Sequence, residues 1–363
     1  MATVETIALV TITVLLLLSA STTPVTAETT PEAAQPFTVF GYLPEYRLRG
    51  YNYTAAFQTG LTHLIYFSLE VDARTFLPKA KDRLPTMIEA KQAREAADAV
   101  GGKIILSFGG NARSNGFAEM VATPSSRRVF LGALEALLTQ YDFDGVDYNW
   151  EYPRDAEEWR RWALLLKESK DTLKGGDRSQ NIVTFTMYLD PKHADVIQRF
   201  NMLEHADYVH CMAYDQHGEH STYEFAVSGV RMAIEKKMTL SKFTLGVPFY
   251  ARHVGNGEPK TYGEIIKEIP KSKRWTQDRV GPYYLNSPSM IQKKTKLAID
   301  NQLGGVMIWE LGQDLQPESH RNSLLRGILK ATLTRGLALP KLQEQLRAAK
   351  EETPSLKEPR DEL

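Results

Sequence analysis

The segment FDGVDYNWEYP, residues 143–153, alternates acidic or amide side chains with large apolar ones. Asp147, Asn149 and Glu151 stand two residues apart, so in a β-strand their side chains share one face. Three polar residues on one face, with Trp150 and other apolar residues close by, are a poor pattern for a core. The segment therefore predicts a catalytic acid at Glu151 with two polar helpers, and a solvated strand face or a structural carboxylate network is the alternative.

Seven further short apolar runs accompany this one, and helix-like stretches separate them. Such nearly continuous apolar runs predict parallel strands that are covered on both faces. Eight strand–helix units in about 300 residues predict an α/β fold, a (β/α)8 TIM barrel with its site at the carboxyl ends of the strands. A doubly wound open sheet is the alternative, but no Gly-x-Gly-x-x-Gly turn follows the first run. The eight runs are Phe37–Leu43, Leu61–Ser68, Lys103–Phe108, Gly145–Trp150, Ile182–Met187, Tyr208–Ala213, Phe243–Phe249 and Gly305–Trp309.

Polar and aromatic residues collect where these predicted strands end. Ser107 and the glycines up to Gly110 end the third run, where they allow close approach by a substrate or by another strand, or form a plain tight turn. Tyr214 and Asp215 end the sixth run, either as partners of a sugar amide or as a core tyrosine and a helix cap. Trp309 ends the eighth run, where an indole could support a sugar ring or pack in the core.

The acids of the fourth run suit one kind of chemistry. Glu151, partly desolvated beside Asp147, would have a raised pKa and stay protonated, as a general acid must. Glycoside hydrolysis ordinarily uses two carboxylates from different elements. Because these two come from one strand, the pattern favours the exception in which the substrate's own acetamido group is the nucleophile.

Composition narrows the classes of partner. Lys plus Arg and Asp plus Glu both number 44, so nothing points to nucleic acid or to an anionic membrane surface. The histidines, including the neighbours His210, His217 and His220, show no tight metal-ligand spacing, and we predict no metal and no other cofactor. Cys211 is the single cysteine, and we predict an inert core thiol.

The N-terminal segment is typical of targeting. The fourteen residues 7–20 are apolar with some threonine, too few to cross a bilayer as a helix, and a small-residue cleavage site follows at Val25–Ala27. We predict a signal peptide over residues 1–27, a flexible leader over 28–36 and no stable membrane anchor. Since no Lys or Arg precedes the apolar run, an uncleaved anchor is the alternative.

The other end carries a second address. Residues 341–363 form a charged tail that ends in Arg360-Asp361-Glu362-Leu363 and resembles an endoplasmic-reticulum retrieval signal. We predict a retrieval receptor as a partner and residence in the endoplasmic-reticulum lumen, with secretion if the signal is not read. The sequon at Asn52 fits a lumenal glycoprotein. Between the two ends, residues 37–340 are predicted to form one barrel, as a monomer.

Taken together, the motifs resemble the family 18 glycoside hydrolases, the chitinase-like family, from about residue 37 to about residue 333. The family's fourth-strand signature is usually DGxDxDWEYP, and this chain has DGVDYNWEYP over residues 144–153. Five other barrel positions match in the same order. They are Gly41-Tyr42, Ser107-x-Gly109-Gly110, Met212-x-Tyr214-Asp215-x-x-Gly218, Gly246 to Arg252, and Gly304 to Glu310.

The resemblance implies retaining hydrolysis of β-1,4-linked N-acetylglucosamine glycans, with chitin or chitooligosaccharides as substrates. It implies that Glu151 protonates the glycosidic oxygen while the substrate's acetamido carbonyl, held by Tyr214, attacks the anomeric carbon. Asn149 occupies the position that orients the acetamido group, and Asp147 belongs to a polar floor behind it. The predicted substrate-binding residues are Tyr42, Ser107, Gly110, Met212, Asp215, Arg252 and Trp309.

Three departures from the family pattern bear on substrate and rate. Asn149 replaces an aspartate, and losing a charge beside a developing cation costs on the order of 10²–10³ in rate. Asn111 and His220 stand where long-groove chitinases have tryptophan, and the short connection between strands seven and eight predicts an absent or vestigial α+β insertion. Because family 85 endo-β-N-acetylglucosaminidases share the Asn-x-Glu order, an enzyme acting on N-glycans is one alternative. A catalytically weak or silent chitinase-like lectin is the other.

Overall fold

The computed structural model describes residues 37–173, 182–317 and 320–352. Within these ranges eight parallel strands form a barrel that closes because β1 pairs with both β2 and β8, which confirms the predicted (β/α)8 fold. The predicted signal peptide, the leader and the RDEL tail lie outside the described residues. The barrel strands are β1 (Thr38–Pro44), β2 (His63–Val71), β3 (Lys103–Gly109), β4 (Gly145–Asn149), β5 (Ile182–Tyr188), β6 (Tyr208–Met212), β7 (Phe243–Pro248) and β8 (Gly305–Trp309).

Helices alternate with these strands along the chain. No helix in the described ranges has the length and apolarity needed to cross a membrane. The helices are α1 (Tyr53–Gln58), α2 (Met87–Val100), α3 (Phe117–Val121), α4 (Pro124–Tyr141), α5 (Ala156–Thr172), α6 (Pro191–Arg199), α7 (Met202–His205), α8 (Tyr223–Glu235), α9 (Tyr262–Ile265), α10 (Pro288–Asp300), α11 (Leu324–Thr334) and α12 (Pro340–Glu352).

Local capping explains several helix boundaries. Helix α4 begins after Thr123, whose side chain accepts from the Ser126 N–H, with proline in the first turn. Helix α11 begins only at Leu324, because Ser323 caps it through the Arg326 N–H. The segment after β5 forms two helices, α6 and α7, because Asn201 between them adopts a left-handed conformation with φ of 50°.

The alternation seen in the β4 sequence separates two environments. Tyr148 points outward to α5, where its hydroxyl lies 2.8 Å from Ser169 Oγ, and Trp150 stacks on Phe117 of α3. Asp147 and Asn149 point inward to the barrel axis, where their partners come from the facing strands. The main apolar core therefore lies between the barrel and its helices, and a smaller cluster fills the barrel itself.

The first acid of the motif serves the fold. Asp144 is buried, and its carboxylate accepts from Arg94 of α2 at 2.6 Å and from the Ile104 N–H of β3 at 2.8 Å. The pair joins a helix to two neighbouring strands. Removing one partner of such a buried pair leaves an uncompensated charge, at a cost of about 3–5 kcal/mol.

The connection between β7 and β8 contains the vestigial form of the α+β insertion. Four short strands form an antiparallel sheet beside the barrel, and α9 follows the second of them. The strand Tyr250–His253 follows directly after β7, so the insertion places its side chains at the carboxyl end of the barrel. In spatial order the strands are Pro259–Thr261, Tyr250–His253, Tyr283–Tyr284 and Arg279–Val280.

The glycine of the Asp-Gly motif gives a test of barrel closure at β4. Gly145 pairs with Ile182 of β5, and a Cβ atom there would lie 2.1 Å from the Ile182 carbonyl oxygen. Because backbone cannot yield as a side chain does, we expect Gly145→Ala to lower the free energy of unfolding by about 2 kcal/mol or more, measured by urea denaturation.

Gly132→Ala is the matched control, because a Cβ on this α4 residue would meet nothing within 4 Å. Alanine should there gain about 1 kcal/mol of helix propensity. Equal denaturation midpoints for both variants would contradict the proposed steric limit between β4 and β5.

Candidate active site

A buried carboxylate lies at the centre of the carboxyl end of the barrel. Asp147 Oδ2 accepts from the Tyr42 hydroxyl at 2.9 Å and from Ser107 Oγ at 2.8 Å, and Oδ1 accepts from Thr184 Oγ1 at 2.7 Å. The strand register explains the convergence, since Ser107, Asp147 and Thr184 pair with one another across β3, β4 and β5. The structure therefore places Tyr42 and Ser107, which the resemblance implies are substrate-binding residues, with their hydroxyls on Asp147.

Hydroxyl groups, rather than cations, stabilise the ionised form of Asp147 in this polar floor. Burial raises the pKa of Asp147, and the hydrogen bonds from Thr184, Ser107 and Tyr42 act in the opposite direction. His210 Nε2 lies 3.9 Å from Asp147 Oδ1, but burial, with His63 nearby, lowers the pKa of His210 to about 3. At neutral pH this imidazole is uncharged, and it gives the carboxylate no cationic partner.

Asn149, one position nearer the barrel mouth, is buried and engaged on both sides of its amide. Thr186 Oγ1 donates a short hydrogen bond to Asn149 Oδ1, and Asn149 lowers the pKa of Glu151. A lowered pKa is the effect of an N–H donor beside the carboxyl group, and because Thr186 occupies Oδ1, the amide nitrogen is the atom left to act on Glu151. Thr184 and Thr186 were not predicted from sequence, although their spacing on the strand after β4 repeats that of Asp147 and Asn149.

Glu151 is half-buried directly after β4, and its surroundings favour the protonated form of its carboxyl group. Burial raises its pKa, the Asn149 hydrogen bond lowers it, and the charge of Asp215 raises it. The predicted desolvation is confirmed, but the prediction that Asp147 supplies the like charge is wrong. The hydroxyls keep the Asp147 carboxylate in the floor, and the loop after β6 brings Asp215 within electrostatic range of the acid.

A hydrogen bond to Ser114 fixes the position of the Glu151 backbone. Its N–H donates to Ser114 Oγ at 3.0 Å, and the same hydroxyl lies 3.3 Å from the Asn149 carbonyl oxygen. The Gly110 N–H donates to that oxygen at 2.6 Å, and a Cβ on Gly109 would lie 2.3 Å from it. The glycines therefore admit a neighbouring strand, and Gly110, predicted to bind substrate, has its N–H committed to the protein.

Aromatic side chains form the wall opposite the acid. Tyr214 is buried, its hydroxyl meets only the Met307 sulfur at 3.7 Å among the described residues, and burial raises its pKa so that it remains a donor. Trp309 is half-buried, with ring centroids 4.7 Å from Phe67 and 5.5 Å from Tyr42. Met212 packs against the same cluster. These contacts leave the Tyr214 hydroxyl available for a stronger acceptor.

Asp215 is the centre of a second polar group at the rim. Its carboxylate accepts from Arg252 Nε and Nη2 and, at 2.6 Å, from the Tyr250 hydroxyl. Burial alone would raise the pKa of Asp215, but the neighbouring His220 and the hydrogen bonds from Arg252 and Tyr250 take it far below its ordinary value. The alternative of a helix-capping aspartate is wrong, because Thr222 caps α8.

His220 has a buried position in the same group. Its ring lies 5.0 Å from that of Tyr250, and Nδ1 is 3.6 Å from Asp215 Oδ1. The side chain is fully buried, so it offers no flat surface to a sugar. Asn111, the other position compared with tryptophan, is exposed in the loop after β3.

An open pocket lies beside the acid. A pocket of about 310 Å³ opens beside Glu151, and its lining includes Ser114, Tyr152 and Arg154. Tyr152 is 43% exposed, so an aromatic face is available there. Across the described ranges, no three His, Cys, Asp or Glu side chains are placed to hold a metal ion together.

Comparisons with known proteins agree on one family. The model of glycosyl hydrolases family 18 matches residues 38–314. Chitinase A1 of Niallia circulans is 25% identical over 309 residues, which cover 66% of this chain and 43% of that protein. Chitinase 1 of Aphanocladium album is 23% identical over 257 residues, covering 57% and 61%. The chain thus spans roughly half the length of these relatives.

Solved structures give the same fold. The GH18 chitinase ChiB of Flavobacterium johnsoniae has a TM-score of 0.65 and 25% identity, covering 82% of this chain and 94% of that one. A chitinase of Bacteroides thetaiotaomicron has a TM-score of 0.66 and 20% identity, covering 83% and 98%. Catalytic domain 2 of an Ostrinia furnacalis Group II chitinase, solved with an N-acetylglucosamine oligomer, has a TM-score of 0.67 and 19% identity, covering 84% and 98%.

The Asp215 group gives a pH test. Because the folded-state pKa of Asp215 is depressed, its stabilisation is present above the ordinary value of 3.8 and is lost as pH falls below it. We expect Arg252→Gln to lower the thermal midpoint most at pH 7, and the difference from the wild type to shrink below about pH 4. Thermal unfolding followed by circular dichroism at several pH values measures it.

Arg279→Gln is the control, because Arg279 pairs with Glu219 at 3.0 Å with both side chains about half exposed. Exposed pairs contribute about 0–1 kcal/mol, so this variant should follow the wild type at every pH. A pH-independent loss in Arg252→Gln would mean that the arginine acts by packing rather than through the carboxylate.

Proposed function

The chain belongs to family 18 of the glycosyl hydrolases, and on that premise we propose that it hydrolyses β-1,4-linked N-acetylglucosamine glycans, chitin or its oligomers, with retention of configuration. The observation that carries the proposal is Glu151, a half-buried acid with its pKa raised by burial, above a floor of hydroxyl-bound carboxylate. A protonated carboxyl at this position can donate to a glycosidic oxygen. The curated chitinases among the relatives support chitin as the substrate class.

In the proposed reaction, Glu151 gives its proton to the leaving oxygen as the C1–O bond breaks. The acetamido carbonyl oxygen of the substrate forms the new bond to C1, and the resulting oxazolinium is opened by water that Glu151, now ionised, deprotonates. Tyr214 donates to the acetamido oxygen in this proposal, and its raised pKa, caused by burial, keeps its hydroxyl protonated. Trp309 supports the sugar ring, and Asp215 and Arg252 border the groove.

An endo-β-N-acetylglucosaminidase acting on N-glycans is the second candidate. The buried His220 and the exposed Asn111 leave the leaving-group side without the aromatic platforms that hold a long chitin chain. Such a groove favours a short or branched glycan. A glycan-binding lectin ranks third, because it has no use for the acid that this chain keeps at Glu151.

One pair of assays separates these candidates. We expect the wild type to cleave a fluorogenic chitotrioside, and Glu151→Gln to lose about 10²–10⁴-fold in kcat/KM, the contribution of a general acid. An N-glycoprotein deglycosylation assay run beside it tests the second candidate. Cleavage of the glycoprotein alone would favour the second candidate.

Glu157→Gln is the control variant, since within the described part of the chain this exposed residue pairs with Arg160 and Arg161 of its own helix. It should retain full activity, while circular dichroism establishes that both variants are folded. Binding of either glycan by the wild type without turnover would overturn both hydrolase assignments and leave the lectin.

We further propose that the protein resides in the secretory pathway, held in the endoplasmic reticulum by its RDEL end and glycosylated at Asn52. Asn52 is exposed before α1, where Oδ1 accepts from the Ala55 N–H at 2.9 Å, so the cap uses the oxygen and a glycan would use the nitrogen. Thr54, which completes the sequon, is also exposed. The site is therefore accessible in the folded protein.

Expression of the full chain in animal cells tests this proposal. We expect intracellular protein with a glycan that endoglycosidase H removes, and none on Asn52→Asp, which keeps the helix cap. Deleting residues 360–363 should release the protein to the medium. A wild-type chain without glycan, or one already secreted, would contradict the proposed address.

A further inference from the structure

Two threonines of β5 repeat the spacing of the polar residues on β4. Asp147 pairs with Thr184 in the strand register, and two residues further along Asn149 lies beside Thr186. Each threonine hydroxyl donates to the β4 residue next to it, to Asp147 Oδ1 at 2.7 Å and to Asn149 Oδ1 at a shorter distance. The bond from Thr184 belongs to the polar floor around Asp147. The bond from Thr186 acts on an amide, whose oxygen and nitrogen atoms differ in hydrogen-bonding role.

The Asn149 amide could in principle take either of two orientations. The terminal torsion of asparagine is broad and roughly two-fold, so its own geometry does not choose between oxygen and nitrogen. The contacts choose, because Thr186 donates to Oδ1 while the amide nitrogen is left to face Glu151. Asn149 Oδ1 is the acceptor that the described residues offer to the Thr186 hydroxyl.

Turning the amide would break both contacts. Thr186 is buried, with 3% of its surface exposed, so its hydroxyl would lose the acceptor and find no water in exchange. The amide oxygen would then face Glu151, and two acceptors would oppose each other whenever Glu151 is ionised. Both effects favour the observed orientation, and the first of them depends on a single hydroxyl.

We propose that Thr186 is a positioning residue that fixes the Asn149 amide with its N–H group toward Glu151 and thereby holds the acid in its reactive orientation. The inference rests on the proposed function, in which Glu151 is the proton donor. Thr186 itself contacts no reacting atom. It acts through Asn149, and the chain thereby uses a neutral amide as a directed hydrogen-bond donor at the position where the family pattern has an acid.

The titratable groups around Glu151 come from several elements. Tyr214 and Asp215 follow β6, Tyr42 lies on β1, and Tyr152 is the residue after Glu151 in the chain. Burial raises the pKa of all three tyrosines, so they are neutral at pH 7. Among these groups Asp215 alone carries charge, and it raises the pKa of Glu151, whereas Asn149 lowers it.

The sign of the pH effect follows from these contacts. An N–H donor stabilises the ionised form of a carboxyl group and so lowers its pKa. If Thr186 no longer holds the amide, Glu151 loses this donor for part of the time and its pKa rises. The basic limb of the kcat/KM profile reports the ionisation of the acid, so this limb moves to higher pH.

Thr186→Val and Thr186→Ser form the matched pair of variants. Valine keeps the branched shape without the hydroxyl, and serine keeps the hydroxyl without the methyl group. We expect Thr186→Val to lower kcat/KM on the chitotrioside about 10-fold, because the acid is no longer held in its reactive orientation, and to move the basic limb upward, because the ionised acid loses its donor. Thr186→Ser should keep the wild-type profile. Thr186→Ala repeats the test if valine prevents folding.

A titration that needs no turnover separates this inference from the proposed function. Carbon-13 NMR of glutamate carboxyl groups follows the ionisation of Glu151, with Glu151→Gln to assign its signal. A higher pKa of Glu151 in Thr186→Val than in wild type and Thr186→Ser supports the positioning role even if no glycan is cleaved. An unchanged titration and pH profile in Thr186→Val, or an equal change in Thr186→Ser, would overturn it.

Discussion

The buried carboxylate of Asp147 is the constraint on which the carboxyl end of this barrel depends. Removing an ion from water costs several kcal/mol, and no cation among the described residues lies beside Asp147 to offset that cost. Three hydroxyl donors from β1, β3 and β5 offset part of it, at about 1.5–3 kcal/mol each for a bond to a charged group. A shift of any one strand by one residue would remove its hydroxyl, so strand register and site geometry stabilise each other.

The acid above this floor owes its properties to residues far apart in sequence. Burial and Asp215 favour the protonated form of Glu151, and Asn149 favours the ionised form. Asp215 remains ionised because Arg252, carried on the vestigial insertion, binds its carboxylate through two nitrogens. A connection that looked negligible in sequence thus fixes the charge that acts on the acid across the groove.

Features that depend on neighbouring residues in the chain could be predicted from the sequence, whereas features that depend on contacts between distant residues could not. The strand runs were found because apolar periodicity is a short-range signal. The left-handed Asn201 that divides α6 from α7, the bracing of Asp215 by Arg252 and the burial of His220 depend on tertiary contacts that no spacing shows. Thr186 had a signal, the i, i+2 threonine pair beside the acid strand, but its meaning required the register.

The effect of asparagine at position 149 can be compared with that of the aspartate usual in the family, which would lie between the carboxyl groups of Asp147 and Glu151. Side chains two residues apart on a strand are about 6.6–6.8 Å apart along it, so an aspartate at position 149 would stand between two carboxyl groups. At an effective dielectric constant of about 20, each such contact between ionised groups costs roughly 2 kcal/mol. Asparagine removes that repulsion, and with Thr186 fixing its amide it supplies a donor to Glu151. Asparagine lacks the negative charge that would stabilise an oxazolinium. In the proposed reaction, the remaining anion among the inward-facing residues of β4 is Asp147. It lies one inward-facing position further from the reacting carbon, and three hydroxyls bind it. The substitution therefore favours a fixed, readily aligned acid over the strongest stabilisation of the intermediate.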